Sequence, residues 1–485
     1  MFISGILLFV LCCQYAVAQN FDRSNQGLTA VPSDIPTNTV NLFLKTNNIA
    51  EVSPATLTPL SNLEQIDMTG NQLSDFPDLC EVGSTLTTVV VSLNPMTAVA
   101  TVRLLCLTKL STFTAEGSWL TTFPDFSHNG ATLQTLKVTH GRLISIPTQY
   151  VDDLVALIHL HLSANHLTTL PDLSASKTSL QTLHLVNNSL TSLPAWLNDM
   201  EVLTTLQFDM NSLTEFPDLC SLADSLKYFT QAGNIYTTFD ASRVNCMQNL
   251  QQFQISYCAK PTTGALDFTL SKDTMKSLYM IKIGLTSLPD LSDLPFLEEI
   301  FIDNNFDLII ERDYFKDINW PSIKKLSMGK IANTEFPDIS YLAGTLDTLG
   351  IASSKVTTLP PEVFGKLHAL RTVDGQFGQF SVFPTTSPSD PAAMDVKLQN
   401  SLLDFCDCRN VWLKMLQEAG ASVAVNNVDC GGELWYSTSV QHLINVCNTG
   451  TGKKVLGVIR ILSHFLEVVG GEGGGRGIEE RYIIL

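Results

Sequence analysis

The sequence runs Leu157-Ile158-His159-Leu160-His161-Leu162-Ser163-Ala164-Asn165-His166-Leu167, with apolar residues at positions 1, 4, 6 and 11 of the unit and asparagine at position 9. The same spacing returns at 63–73, 180–190 and 203–213. Sixteen such units, the first and last degenerate, follow one another at intervals of 22 to 26 residues. Their first positions are 39, 63, 86, 110, 133, 157, 180, 203, 226, 250, 275, 297, 323, 346, 370 and 393. A unit this short cannot bury its own apolar face, so stacking on its neighbours must supply the core.

Each unit is predicted to contribute one short strand, because positions 3 to 6 alternate between outward and apolar residues. Parallel pairing of these strands builds one sheet, whose outward positions are the variable residues between the leucines. The asparagine at position 9 is expected to form a ladder inside the turns, since its amide can satisfy backbone groups of neighbouring coils.

This pattern resembles that of secreted and cell-surface leucine-rich repeat proteins. The resemblance extends over residues 25–447, with the repeats at 39–403. It implies an α/β solenoid, a leucine-rich repeat horseshoe with a concave parallel β-sheet and a convex face of turns, 3₁₀ segments and short helices.

A longer period is superimposed on the repeats. Phe-Pro-Asp-Leu or a close variant occurs in every second repeat, with one missed beat, at 76–79, 123–126, 170–173, 216–219, 288–291 and 336–339. Proline has no N–H for a sheet ladder, so it is expected where the sheet ends and the convex crossing begins. These crossings are predicted to use turns or 3₁₀ segments, while the intervening ones, such as 361–367, look more helical.

Composition narrows the class of protein further. The 485 residues are 45% hydrophobic and only 16% charged, which excludes a disordered or coiled-coil chain. The formal net charge of −18 argues against nucleic acid as a partner, because such proteins neutralise phosphates with Lys and Arg. Length alone predicts several domains, but the repeats predict a single elongated core.

The N-terminus is predicted to direct secretion. Residues 1–18 combine an apolar run with the small-x-small site Ala16-Val17-Ala18, which is typical of a signal peptide, and the run is too short for a membrane anchor. The segment 19–38 resembles the end of the N-terminal cap of leucine-rich repeat proteins but lacks its cysteines. A capping hairpin without disulfides is therefore expected there.

Four cysteines within the repeats form two pairs with the same separation of 26 residues, Cys80 with Cys106 and Cys220 with Cys246. Each pair falls on convex crossings of adjacent coils, which predicts two disulfides. The alternative is four buried free thiols. Cys258 takes the asparagine position of its repeat and is expected to be a buried, unreactive thiol.

The segment 405–413 resembles the C-terminal cysteine-rich cap of extracellular leucine-rich repeat proteins, as in Slit-like proteins and Toll-like receptor ectodomains. The resemblance places this cap at 404–447 and implies the disulfides Cys406–Cys430 and Cys408–Cys447, with Trp412 and Leu413 covering the last coil. Zinc ligation by the four cysteines is the alternative, but a secreted chain favours disulfides. The tail 448–485 is predicted to be disordered or weakly helical, because it is glycine-rich at 470–477 and lacks a long uncharged apolar run.

No motif of a catalytic site or nucleotide loop stands out, so the protein is predicted not to be an enzyme and to need no cofactor. Function is then expected on the outward side chains of the sheet.

Histidines concentrate on three adjacent repeats at His140, His159, His161 and His184, with His161 and His184 in one column about 5 Å apart. The sequence allows three interpretations of this histidine group: a solvated polar face, a ligand contact that responds to pH below about 6.5, or a metal site.

A second candidate group is aromatic and apolar. It comprises Tyr228, Tyr257, Tyr279, Ile281 and Phe301, all expected at outward positions of the ninth to twelfth repeats. Such a patch indicates a protein interface, unless it serves only cross-strand packing. Asn187 begins the single N-x-[ST] glycosylation motif, beside the expected ladder residue Asn188.

These features predict a secreted, extracellular protein that binds a protein or glycan through its concave sheet, in adhesion, matrix, signalling or immune recognition. A non-catalytic subunit of a secreted enzyme complex and the ectodomain of a membrane-tethered receptor are the alternatives. The expected partner is an extracellular protein or glycan, with no nucleic acid and no stable membrane span; the sequence does not predict the oligomeric state.

Overall fold

A computed structural model describes residues 19–236, 239–257, 261–263, 265–385, 389–403, 410–426, 434–435, 437, 439–440 and 443. The chain divides into two compact units, Met1–Tyr236 and Thr237–Leu485, called unit 1 and unit 2 below. The predicted signal peptide, the thiol of Cys258, the four cysteines of the predicted C-terminal cap and the tail 448–485 lie outside the described residues.

Unit 1 carries one parallel strand per repeat, paired in chain order. The strands are β1 (Asn20–Asp22), β2 (Asn41–Phe43), β3 (Gln65–Asp67), β4 (Thr88–Val90), β5 (Thr112–Thr114), β6 (Thr135–Lys137), β7 (His159–His161), β8 (Thr182–His184), β9 (Thr205–Gln207) and β10 (Tyr228–Ala232). The middle residue of a typical strand is buried and its two neighbours are half-exposed, which is the pattern that the alternation predicted.

Unit 2 repeats this arrangement. Its strands are β11 (Phe239–Asp240), β12 (Gln252–Ser256), β13 (Pro261–Thr263), β14 (Ser277–Ile281), β15 (Glu299–Phe301), β16 (Lys325–Ser327), β17 (Thr348–Gly350), β18 (Thr372–Asp374), β19 (Asp395–Lys397) and β20 (Ser422–Ala424). All pair in parallel along the main ladder except β11 and β13, which form a separate two-stranded sheet that the repeat pattern did not predict. The predicted solenoid with a parallel sheet is confirmed.

The N-terminal segment corrects one expectation. Instead of a hairpin, β1 pairs in parallel with β2, with Asn20 opposite Asn41 and Asp22 opposite Phe43. The sheet therefore begins one strand before the first predicted repeat, because residues 19–22 can use the free edge of β2 just as any coil uses its neighbour.

The asparagine ladder is present as predicted. Asn165, which is buried, donates from Nδ2 to the carbonyl oxygens of Val138 (2.8 Å) and Leu162 (2.9 Å), and its Oδ1 accepts from the N–H of Leu143 (3.3 Å). One side chain thus satisfies backbone groups of its own coil and of the preceding coil, where no strand pairing can do so. The same arrangement recurs at Asn71, Asn94, Asn188, Asn211 and Asn305.

The residue just before the ladder position adopts a left-handed backbone in repeat after repeat. Gly70, Gly117 and Gly233 do so without penalty, but Leu93 (φ 54°) and Met210 (φ 54°) do so with a full side chain. This turn ends each strand and projects its side chain toward solvent, since both of these large apolar residues are exposed. Because this turn recurs along the chain, it places a further column of exposed side chains beside the sheet.

The Phe-Pro-Asp-Leu motif has a structural explanation that the sequence reading missed. In all six copies the aspartate Oδ1 accepts a hydrogen bond from the N–H of the residue two positions on, as in Asp172 with Ser174 (2.8 Å) and Asp338 with Ser340 (2.9 Å). This turn starts the predicted 3₁₀ segments at Cys80–Val82, Ser174–Ser176, Cys220–Leu222 and Ser340–Leu342. Other crossings form one-turn helices, α1 (Pro54–Leu57), α2 (Val102–Leu105), α3 (Ser242–Asn245) and α4 (Pro361–Phe364).

Phenylalanine rings fill the core beneath the convex side of unit 1. The ring of Phe113 lies 5.9 Å from that of Phe76 and 5.1 Å from that of Phe126, and all three are fully buried. Phe76 begins one copy of the Phe-Pro-Asp motif and Phe126 ends another. The longer period therefore also sets where large rings enter the core.

Cys80 and Cys106 form the predicted disulfide, with their Cα atoms 5.3 Å apart. Cys80 begins its 3₁₀ segment and Cys106 follows α2, so the bond joins two neighbouring convex crossings of unit 1. Cys220 and Cys246 are each disulfide-bonded as well. The free-thiol alternative is wrong for these four residues, while the pairing of Cys220 with Cys246 stays a prediction.

At the end of unit 2, helix α5 (Val411–Glu418) packs on the last coils as the sequence predicted for Trp412 and Leu413. Both residues are buried, and Trp412 stacks on Phe383 with centroids 5.8 Å apart while its Nε1 donates to the Phe383 carbonyl (3.0 Å). In the last repeat Met394, not position 393, is buried. Among the described residues, no helix has the length and apolar character that crossing a membrane requires.

Candidate ligand-binding surfaces on the sheet

The histidine group lies on the outward face of β6, β7 and β8 in unit 1. Strand register places Lys137, His161 and His184 side by side in one column, and His159 opposite Thr182 in the next. His161 and His184 are half-buried. The predicted column neighbours are therefore neighbours in the structure, because parallel pairing of equivalent repeat positions brings them together.

The two rings make a close edge-to-face pair. Their centroids are 4.3 Å apart with an interplanar angle of 75°. Burial, followed by the charges of His184, Lys137 and His159, lowers the pKa of His161 to about 4. Burial and the charges of Lys137 and His159 also lower the pKa of His184. Both rings are therefore neutral at pH 7. Each takes up a proton only at a lower pH than an ordinary histidine, whose pKa is 6.5.

The other two histidines behave differently. His159 Nδ1 lies 3.1 Å from Thr182 Oγ1, so its ring is held beside the pair by a hydrogen bond across the strands. His140 is not on the sheet face: it occupies the left-handed turn after β6 (φ 53°), and its Nδ1 lies 3.2 Å from Thr139 Oγ1. Three of the four histidines are thus brought together. Within the described part of the chain, no cluster of three or more His, Cys, Asp or Glu side chains is placed to hold a metal ion.

The centre of the aromatic group is a stacked pair in unit 2. The rings of Tyr279 on β14 and Phe301 on β15 lie 4.9 Å apart and within 11° of parallel. The Tyr279 hydroxyl donates to Glu299 (2.6 Å), which also pairs with Lys325 (2.7 Å). Burial and the Glu299 carboxylate raise the pKa of Tyr279 to about 12, so the phenol keeps its proton and this hydrogen bond over the whole physiological range.

Of the remaining members, Ile281 and Tyr228 lie on strands as predicted, whereas Tyr257 does not. Ile281 ends β14 in an outward, half-exposed position opposite Ser256. Tyr257 lies in the left-handed turn after β12 (φ 55°), is 55% exposed, and has the Lys282 Nζ 5.5 Å from its ring centre. Tyr228 is exposed on β10 of unit 1, opposite Thr205.

Two exposed aromatic residues were missed by sequence reasoning. Phe306 (53% exposed) and Trp119 (54% exposed) each follow a ladder position directly. The guanidinium of Arg142, at the same position one repeat later, lies 5.7 Å from the Trp119 ring centre. The position after the ladder residue could have been read as outward, but the alternation that identifies the strand stops before it.

Asn187 is exposed in the left-handed turn after β8 (φ 56°), whereas Asn188 is buried in the ladder. Only the first of these two asparagines is therefore accessible to a glycosyl transferase. Its position on the chain, three residues after His184, places it next to the histidine group.

A profile described as leucine-rich repeat matches residues 131–190, which include β6, β7 and β8. Superposition on solved structures covers far more of the chain. A leucine-rich repeat protein of Leptospira interrogans matches with a TM-score of 0.57 at 20% identity, covering 85% of this chain and 96% of that one. The chain has the leucine-rich repeat fold.

The match to a TDR receptor is similar, with a TM-score of 0.57 at 20% identity over 82% of this leucine-rich repeat chain and 70% of the receptor chain. Identities this low establish the fold alone. Sequence relatives share shorter stretches: the human leucine-rich repeats and immunoglobulin-like domains protein 1 is 31% identical over 75 residues, and chicken Toll-like receptor 2 type-1 is 28% identical over 111 residues. These alignments span 16% and 23% of this chain, but only 7% and 13% of the two relatives.

Proposed function

We propose that this leucine-rich repeat protein is an extracellular binding protein, which recognises a protein ligand through the outward side chains of its sheet. The observation that carries the proposal is the Tyr279–Phe301 stack, where two large rings lie on the solvent side of adjacent strands. The Glu299 and Lys325 side chains hold the tyrosine in place, so its apolar surface is presented with little loss of side-chain entropy on binding.

The surroundings of the stack suit a protein ligand. Ile281 continues the apolar surface along β14, and the exposed rings of Tyr257 and Phe306 follow the ends of neighbouring strands. Apolar and aromatic anchors surrounded by polar residues are typical of protein interfaces. Leucine-rich repeat proteins are in general non-catalytic scaffolds of this kind, which fits a binding function rather than an enzymatic one.

An extracellular setting is supported by the cysteines. The Cys80–Cys106 disulfide and the disulfide-bonded states of Cys220 and Cys246 fit an oxidising compartment. The proposal includes cleavage of residues 1–18 on secretion, a cysteine-rich cap at 404–447 with the bridges Cys406–Cys430 and Cys408–Cys447, and a glycan on Asn187. Peptide mapping by mass spectrometry of secreted, non-reduced protein tests all three, and a mature chain that retains Met1 contradicts secretion through this signal.

The experiment that tests the function is a crosslinking capture from extracellular medium. Wild-type protein is compared with the double variant Tyr279→Ala/Phe301→Ala, and the matched control is Thr88→Ala/Thr112→Ala on the outward face of β4 and β5. We expect the aromatic double variant to lose the captured protein, while the threonine control retains it. Equal capture by all three proteins would place the binding surface elsewhere.

A further inference from the structure

The outward face of β6, β7 and β8 in unit 1 has an unusual charge composition for this protein. The chain as a whole carries −18, yet residues 134–139, 158–163 and 181–186 include one lysine, three histidines and no carboxylate. On the two flanking strands, the first carboxylates after the strand ends are Glu116, which follows β5, and Asp209, which follows β9. The Asp209 carboxylate is itself half-buried and accepts a hydrogen bond from Thr230.

Within this face the basic groups lack a negative partner. Lys137 makes no ion pair with any described residue, although it lies beside His161 in the strand register. His161 and His184 face each other edge to ring, and His159 bonds to the neutral hydroxyl of Thr182. The groups on the flanking strands in the same column, Thr114 and Gln207, are uncharged.

This arrangement opposes protonation of the rings in the free protein. A proton on His161 or His184 would be half-buried and would face Lys137 and other imidazoles, with no carboxylate to offset the charge. The lowered pKa values of both rings agree with this geometry. A carboxylate supplied from outside would reverse the balance, because it would accept hydrogen bonds from the protonated rings and from Lys137.

We propose that Lys137, His159, His161 and His184 form a binding site for the carboxylates of an acidic protein segment, and that binding is accompanied by protonation of the His161–His184 pair. The partner is a protein segment rather than a sulfated polysaccharide, because closely spaced sulfates require several permanent cations and residues 134–139, 158–163 and 181–186 offer one. One or two carboxylates, in contrast, match one lysine and one ring pair.

Linkage fixes the direction of the pH effect. If the complex takes up protons, lowering the pH strengthens binding, by up to tenfold per pH unit for each proton taken up. This site consists of residues of unit 1 and the Tyr279–Phe301 stack of residues of unit 2, so the two proposals can fail independently.

The test uses the full chain, freed of N-linked glycan, and fluorescein-labelled hexa-aspartate as the probe, with hexa-asparagine as the uncharged comparison. Fluorescence anisotropy gives the dissociation constant between pH 7.5 and 5.5, where aspartate remains ionised. We expect hexa-aspartate to bind at least about tenfold more tightly at pH 5.5 than at pH 7.5, and hexa-asparagine to bind weakly at both.

The variants assign the effect to the site. His161→Gln/His184→Gln should remove the pH dependence, and Lys137→Met should weaken binding at both pH values, with folding checked by circular dichroism. The matched control His166→Gln, an exposed histidine off the sheet face, should behave as wild type. Tyr279→Ala/Phe301→Ala should also leave hexa-aspartate binding unchanged, which separates this site from the aromatic surface.

Three outcomes overturn the proposal. The first is an affinity that does not change between pH 7.5 and 5.5. The second is a His161→Gln/His184→Gln variant that keeps the wild-type pH dependence. The third is histidine-dependent binding of a heparin fragment without binding of hexa-aspartate, which would assign the site to sulfated glycans.

Discussion

At the level of single residues, the protein uses equivalent repeat positions for very different purposes. The outward position between the two strand leucines holds Lys137, His161 and His184 in unit 1, and Tyr279 and Phe301 in unit 2. All five occupy equivalent strand positions, so their different chemistry arises from the side chains and their column neighbours. A binding function can therefore change by substitution at these positions without disturbing the leucines beneath them.

The histidine pair also predicts a pH dependence of stability. The pKa of His161 is about 4 in the folded protein, below the 6.5 of an exposed histidine, so the unfolded chain binds more protons between these values. The contribution of His161 to the free energy of unfolding is therefore fully present above pH 6.5, and it is lost as the pH drops from 6.5 toward 4. We expect the His161 ring to account for about 1–2 kcal/mol of this loss, a value reduced from the full shift because the ring is only half-buried.

Urea denaturation followed by circular dichroism at pH 7.5, 6.0 and 5.0 measures this dependence. The variant His161→Gln/His184→Gln should show a shallower fall in the free energy of unfolding than wild type, whereas His166→Gln should match wild type. If the double variant and wild type lose stability in parallel, the ring pair is not the source of the effect.

At the level of elements, the strands are too short to hold the coils in register by themselves. Most contain three residues, and the asparagine ladder adds hydrogen bonds where each strand has already ended. The aspartate of the Phe-Pro-Asp-Leu motif has a comparable role on the convex side, where it starts a 3₁₀ segment. Buried polar side chains thus complete the backbone hydrogen bonding that regular secondary structure leaves unfinished.

Replacement of a ladder residue should therefore be costly. Asn165→Ala removes the partners of the Val138 and Leu162 carbonyl groups and of the Leu143 N–H, all at a buried site. We expect the free energy of unfolding to fall by about 2–4 kcal/mol, because buried backbone groups are left without partners. The control Asn48→Ala changes an exposed asparagine next to another ladder position and should alter stability by less than about 0.5 kcal/mol.

Urea denaturation of the two variants beside wild type gives the comparison. Similar stability losses for Asn165→Ala and Asn48→Ala would show that the ladder contributes no more than a surface amide does.

At the level of the whole molecule, the strongest physical feature is the excess of negative charge. The chain has 47 acidic and 29 basic residues. Several ion pairs, such as Arg23–Asp34 and Lys177–Glu201, are between largely exposed side chains and contribute little stability. Most of the acidic excess is therefore not offset by strong local pairing, and the folded protein must hold these charges closer together than the unfolded chain does.

Salt should consequently stabilise the protein. Raising the NaCl concentration from 0.02 M to 0.5 M shortens the range of the repulsion to a few ångströms, so we expect the Tm to rise by several degrees at pH 7.5. The rise should become smaller at pH 5.5, nearer the isoelectric point of about 4.8. Thermal melts followed by circular dichroism provide the measurement, and a Tm that falls with added salt would show that attractive ion pairs dominate instead.

The sequence by itself determined the repeat length, the parallel strand in each repeat, the asparagine ladder and the Cys80–Cys106 disulfide. These features depend on residues that recur at fixed spacing, and stacking of identical coils places equivalent positions side by side. The same rule predicts from the sequence that His161 lies next to His184 and Tyr279 next to Phe301.

Only the tertiary structure decided which candidate side chains act together. Ring orientation in the two pairs, the displacement of His140 and Tyr257 into left-handed turns, and the exposure of Phe306 and Trp119 all depend on backbone turns and rotamers after the strand. Those turns lie beyond the alternating pattern, so sequence periodicity carries no information about them. The repeat specifies the scaffold because every coil must bury the same apolar face, whereas the surface is decided locally by packing between neighbouring side chains.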